Sequence, residues 1–170
     1  DPRVSALSSA SKQLFDRLGL WQAMTELRVS PYLSMHVWDA DGTGSIDFSA
    51  ADMGVPELGH IVENSVALTV LHQALAKLGN LQLLGGSSIK GIEPIQGGVK
   101  ILRQSGSPIQ ASLVIAADGG RSAIRKLGQF QTKQWSYDHS AIITTVKTAL
   151  PHQRVARQRF MDTGPLAFLP

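Results

Sequence analysis

Apolar residues near the start of the chain recur at Leu7, Leu14, Phe15 and Leu18. That is helical spacing, and Gly19 supplies a stop, so a helix is predicted over residues 5–20. A second, short helix is predicted around Trp21–Leu27, and Pro31 then breaks the pattern. From residue 32 to 38 Leu33, Met35 and Val37 alternate with Ser34, His36 and Trp38, DADGTG (39–44) is a run of turn formers, and Ser45–Phe48 alternates again. Residues 32–48 therefore read as a hairpin. A short strand is predicted at residues 60–62. The strongest helical pattern follows, with Ala67, Val70, Leu71, Ala74, Leu75 and Leu78 on one face and Gly79-Asn80 at the end. Short strands are then predicted at Leu81–Leu84, Ser88–Glu93, Val99–Gln104 and Ile109–Ile115. SLVIAA (112–117) is nearly continuous apolar, as in a strand covered on both faces. It leads into Asp118-Gly119-Gly120 and a short helix near Ser122–Leu127. Ala141–Val146, Val155–Phe160 and Leu166–Leu169 read as strands of a further sheet. The order fits an α/β fold: a nucleotide-binding layer interrupted by excursions into a second, β-rich layer.

Composition narrows the chemistry. The chain has 170 residues, 43% hydrophobic and 17% charged, with no cysteine. It can bury a core. A disulfide framework, a cysteine-ligated metal and a thiol nucleophile are all excluded. No apolar run reaches the roughly 18 residues of a membrane-spanning helix. The chain opens on Asp1 and closes on an apolar run, and is expected to be a piece of a longer protein. Its charge is uneven. Residues 1–60 carry four basic and eight acidic side chains, 61–120 four and three, and 121–170 eight and two. The basic last third is compatible with an interaction domain facing phosphates, or with a solvated face. Nucleic acid is disfavoured, because Arg154, Arg157 and Arg159 lack interleaved stacking aromatics.

Two segments carry candidate chemistry. DADGTGSIDFSA (39–50) resembles the start of a calcium loop, with Asp39, Asp41, Thr43 and Asp47 at ligand positions and Gly44 at the tight turn. The closing bidentate glutamate is replaced by Ala50, and the entering segment reads as a strand. A hairpin turn is preferred, with a calcium-binding module as the alternative. In the second segment, LVIAADGGRSAIRK (113–126), a buried strand is expected to end at Asp118, with Ser122 and Arg125 on the following turn. A strand-end carboxylate can accept a ribose hydroxyl, and backbone N–H groups with a fixed guanidinium suit a pyrophosphate. The five histidines, His36, His60, His72, His139 and His152, show no metal-ligand spacing. His60 lies near Asn64, but a packed or surface histidine is the preferred reading. Trp21, Trp38 and Trp135 are expected in the core or at an interface. No catalytic nucleophile or acid–base pair stands out.

The D-G-x-x-S-x-x-R segment resembles the second fingerprint of the single-component FAD-dependent aromatic hydroxylases. DPRVSALSSASKQLF with LGLWQ (1–22), MHVWDADG (35–42), LGHIVENSV (58–66), HQRVARQRF (152–160) and GPLAFLP (164–170) resemble their ubiquinone-biosynthesis branch, and within it the polyprenylphenol hydroxylases. The resemblance runs the length of the chain. It implies a partial, Rossmann-like FAD-binding layer (1–30 and 59–130) interleaved with a β-rich substrate layer (31–58 and 131–170). It implies FAD contacts from Arg3 near the flavin edge, from Asn64 toward the ribityl–phosphate region, and from Asp118, Gly119, Ser122 and Arg125. The GPLAFLP end matches the substrate-side sheet. The implied activity is hydroxylation of a polyprenylphenol with NAD(P)H and molecular oxygen, in the cytoplasm, with membrane-surface contacts, partner proteins of the same pathway and oligomer formation all compatible. The family's G-x-G-x-x-G segment and its later G-D segment are not in these residues. The isolated chain is accordingly expected neither to hold FAD tightly nor to hydroxylate.

Overall fold

In the computed structural model, which describes residues 2–170, the chain begins as a strand rather than as the expected helix. β1 (Val4–Leu7) pairs antiparallel with β5 (Gly59–Glu63) in the register Val4↔Glu63 to Leu7↔His60. Leu7 fits the helical spacing of Leu14 and Leu18 but reaches the core from a strand. The switch falls at Ser8, whose extended backbone and hydroxyl, accepting from the Ser11 N–H, cap α1 (Ser9–Arg17). Gly19 ends that turn at φ +69°, and α2 (Trp21–Leu27) follows as predicted.

β2 (Val29–Tyr32) was not expected, because it contains Pro31. It forms the edge of a three-stranded sheet ordered β1-β5-β2, and an edge tolerates a residue without an N–H. β5 is central and its first four residues are buried. α3 (Asn64–Leu75) leaves β5 directly and packs back with Val66 and Val70 inward. Trp21, Met24, Val62, Val66 and Val70 make the core, with Leu7, Phe15, Leu20 and Val29 against it. Met24 is 0% exposed.

β3 (Ser34–Asp39) and β4 (Ser45–Ser49) form the predicted hairpin, with Trp38 opposite Ser45 and the Asp39 N–H donating to the Gly44 carbonyl. The 39–44 segment is thus a hairpin turn, entered by a strand where a calcium loop needs a helix. β3 also pairs parallel with β9 (Val155–Met161), which pairs antiparallel with β10 (Gly164–Phe168), giving the order β10-β9-β3-β4. The alternation of strand side chains sorts the sheet into two faces. One carries Met35, Val37, Ile46, Phe48, Gln158 and Phe160, and the other His36, Trp38, Asp47, Arg157, Arg159 and Phe168.

These elements belong to one of two compact units, residues 1–81 with 141–170; residues 82–140 form the other. The second unit is a meander of β6 (Ile89–Ile95), β7 (Gly98–Arg103) and β8 (Ile109–Ala111), followed by α4 (Ala123–Leu127). Three expected strands are absent: Leu81–Leu84, the SLVIAA run and Ala141–Val146. Residues 112–117 pair with no strand among the described residues, and Leu113 and Ile115 are 73% and 80% exposed. An apolar run has the composition of a buried strand, but it becomes one only when a neighbour takes its N–H and C=O groups. Trp135, expected in a core or interface, is also exposed. Among the described residues no helix is long and apolar enough to cross a membrane.

Candidate functional site

The candidate residues divide between the two units. In the first, antiparallel pairing of β1 with β5 brings Arg3 and Asn64 together, because Arg3 leads into one strand where the other ends. The Asn64 N–H donates to the Arg3 carbonyl at 3.0 Å. The Ser5 hydroxyl donates to Asn64 Oδ1 at 2.7 Å, which engages the amide oxygen and leaves Nδ2 as the donor of this side chain. Asn64 opens α3, and Glu63 before it makes no side-chain cap, so the Arg3 carbonyl serves the first N–H of this helix in place of a capping side chain. The Glu63 carboxylate is instead held by Arg28 at 3.1 Å. The Arg3 backbone, the Asn64 side-chain amide and the positive end of a 12-residue helix meet at one corner of the sheet.

In the second unit Asp118, Gly119, Ser122 and Arg125 form one tight turn. The Ser122 hydroxyl donates to Asp118 Oδ1 in a short hydrogen bond. Asp118 Oδ2 accepts from the Ala123 and Ile124 N–H groups at 2.7 and 3.2 Å. Ser122 Oγ in turn accepts from the Arg125 N–H at 3.0 Å and caps α4. Gly119 sits at φ +84°, a conformation that favours glycine. The Arg125 guanidinium is tied to the Gly120 carbonyl at 2.6 Å. The Ser122 hydroxyl, seconded by backbone N–H groups, holds the Asp118 carboxyl below the usual carboxylate range. The carboxylate pictured from sequence as free for a ribose hydroxyl is therefore largely occupied in organising its own loop. A lone pair on Oδ1 and the remaining guanidinium N–H groups are what the turn offers outward.

Sequence reading passed over two clusters. His60 is 6% exposed beneath Trp21, whose ring meets it edge-on at 4.8 Å. Its Nδ1 has no hydrogen-bond partner, and its Nε2 lies 3.7 Å from Glu57 Oε1. Glu57 is bound by Lys12 at 2.9 Å. Burial lowers the His60 pKa from 6.5, against the pull of Glu57. The unfolded chain then binds a proton more readily than the folded one, so the contribution of His60 is complete above pH 6.5 and is lost as pH falls toward the folded midpoint. Urea unfolding at about pH 7.5 and about pH 5 is expected to show that loss, and His60→Leu is expected to flatten the difference. The second cluster lies on the hairpin. His36 Nδ1 is 2.6 Å from Asp47 Oδ1, directly across the strand pair, and the His36 ring stacks on Trp38 at 4.9 Å. The signal for it is the hairpin register, which sets these two residues opposite each other. Among the described residues no group of three or more His, Asp or Glu side chains could hold a metal ion.

Comparison with known proteins gives this geometry a context. Residues 1–163 match the family model described as an FAD binding domain. The chain is 33% identical over 170 residues to the 3-demethoxyubiquinol 3-hydroxylase of Escherichia coli, covering 100% of this chain and 43% of that protein. It is 32% identical over 178 residues to the mitochondrial ubiquinone biosynthesis monooxygenase COQ6 of Homo sapiens, covering 99% and 38%. The chain thus spans about two fifths of the length of these curated relatives. Among solved structures, Klebsiella pneumoniae HpxO complexed with FAD and uric acid superposes with a TM-score of 0.69 at 20% identity, over 98% of this chain and 43% of that one. At that identity the likeness is one of fold.

Proposed function

Because this chain belongs to the FAD-binding domain family and is similar to its ubiquinone-biosynthesis hydroxylases, we propose that it is part of a FAD- and NAD(P)H-dependent monooxygenase that hydroxylates a polyprenylphenol on the route to ubiquinone. The observation that carries this reading is the Arg3–Asn64 corner. Strand pairing places Arg3 beside the Asn64 amide and a helix start without a side-chain cap. Beside the Glu63 carboxylate, which Arg28 neutralises, the corner offers the Asn64 amide and helix-start N–H groups as donors, and the ribityl and diphosphate oxygens of FAD are acceptors, so these donors fit the group. Arg3 is assigned to the flavin edge and Asn64 to the ribityl–phosphate region. In the second unit Asp118, Gly119 and the buried Ser122 shape a turn that leaves the remaining Arg125 guanidinium N–H groups to meet a phosphate. FAD held there would supply the redox chemistry, accepting hydride from NAD(P)H and activating molecular oxygen.

The rest is binding and exclusion of water. The sheet face carrying Met35, Val37, Ile46, Phe48 and Phe160 suits a phenol ring with an isoprenoid tail, since the apolar tail gains from leaving water. Membrane-surface contact belongs to the same proposal and follows from the lipid character of such a substrate.

The test uses the full-length protein purified with FAD. A short-tailed polyprenylphenol is expected to accelerate NAD(P)H oxidation, and the product is expected to gain one oxygen atom from isotopically labelled molecular oxygen. NAD(P)H oxidation indifferent to every prenylphenol, with no label in any product, sinks the assignment.

A further inference from the structure

The His60 cluster draws one side chain from each of four places in the first unit. His60 comes from β5, Glu57 from the loop before it, Lys12 from α1 and Trp21 from α2. Lys12 also lies over the Trp21 ring, 5.8 Å from its centre. The same Glu57 oxygen faces both side chains, at 2.9 Å from Lys12 Nζ and 3.7 Å from His60 Nε2. Closing the second gap to a hydrogen bond takes a shift of about 1 Å. We propose that Glu57 is the moving part of a proton-triggered latch: when His60 takes up a proton, the Glu57 carboxylate leaves Lys12 for the His60 Nε2–H and uncouples α1 from β5.

Three features support the exchange. Lys12 holds the Glu57 carboxyl below its ordinary value, which favours its ionised form as pH falls. His60 Nδ1 is buried without a partner. A second proton on the ring therefore leaves a buried donor unsatisfied unless the covering Trp21 and α1 shift, and that strain links protonation to helix movement. The remaining groups around the ring compete weakly. Asp16 on α1 favours the charged imidazole and Lys12 opposes it, while β1 presents Leu7 and the β2 edge Pro31 opposite His60. Tyr32, next on β2, lies over Gly59. The consequence for function is geometric. β1 connects α1 to Arg3 and β5 leads from His60 to Asn64, so the latch sits behind the strands that carry both residues.

Histidine-labelled full-length protein, followed by NMR from about pH 8 to about pH 4.5 together with amide exchange of α1, tests the latch. In the unmodified protein α1 protection is expected to fall with the same midpoint as the His60 ring titration. Lys12→Met frees Glu57 and is expected to raise that midpoint. Glu57→Gln is expected to lower it and to abolish the pH dependence of α1 protection. Protection of α1 that ignores His60 ionisation overturns the proposal, as does a His60 midpoint untouched by Lys12→Met. Lys12 and Glu57 are only partly buried, so both variants are expected to fold, and unchanged circular dichroism confirms it. Lys12→Met alone is sufficient to decide if Glu57→Gln does not.

Discussion

Asn64→Asp in the full-length protein is expected to weaken FAD binding by about 10- to 100-fold while leaving the fold intact. The replacement keeps an oxygen in place to accept from the Ser5 hydroxyl, so the local hydrogen bond survives. It exchanges the amide donor for a carboxylate. Losing a hydrogen bond to a charged group costs about 1.5–3 kcal/mol, and each 1.4 kcal/mol is about tenfold in affinity. A negative charge facing a diphosphate adds to that loss. Protein stability moves the other way, since Asn64 is the first residue of α3 and an anion at a helix start contributes roughly 0.3–1 kcal/mol. Flavin fluorescence titration and thermal unfolding on the same sample separate the two effects. Unchanged flavin affinity with an intact fold rejects Asn64 as a cofactor contact. Lost affinity accompanied by a large drop in melting temperature means the residue is structural.

Gly59→Ala is the second large effect, and it acts on stability. A Cβ at Gly59 would lie 2.7 Å from the Leu7 carbonyl oxygen, 2.8 Å from Tyr32 Oη and 2.9 Å from Tyr32 Cε1. The tyrosine can rotate away. The carbonyl belongs to β1 and cannot withdraw without pulling on the pairing of Leu7 with His60. Overpacking of this kind costs about 1–3 kcal/mol and more where backbone must move. Gly44 is the control, because a Cβ there meets nothing within 4 Å and its φ is not positive. Gly44→Ala is expected to be neutral or to stabilise by up to about 1 kcal/mol through the unfolded chain. Urea midpoints measure both, and equal shifts would refute the steric account. The same sheet positions Arg3 and Asn64, so Gly59→Ala is also expected to lower flavin affinity in the full-length protein.

These two residues show how differently parts of the chain could be read. Asn64 was named only through the resemblance of LGHIVENSV to the hydroxylases, whereas its setting, a strand that runs straight into a helix, is what the structure adds. The closeness of Gly59 to Leu7 was not legible, because it depends on β1, and Val4–Leu7 carries no strand signal of its own. The D-G turn was legible in its membership, and Asp118, Gly119, Ser122 and Arg125 do come together. Their division of labour was not, since whether a carboxylate is free or occupied depends on where neighbouring N–H groups point. His60 and Glu57 lie three residues apart, yet Lys12 reaches Glu57 only because α1 folds back over the sheet.

The sequence alone determined the elements whose signals are local: α2, the 32–48 hairpin with its Asp- and Gly-rich turn, the β6–β7 meander and the Asp118–Arg125 loop. Each is decided by spacing, capping or turn chemistry within about a dozen residues. Tertiary structure decided which extended segments are strands. Val4–Leu7 and the proline-containing Val29–Tyr32 become strands because β5 pairs with both, and β9 joins β3 across more than a hundred residues. The more apolar run at 112–117 stays outside every sheet. A helix satisfies its hydrogen bonds within its own residues, whereas a strand requires a partner that its own sequence does not name.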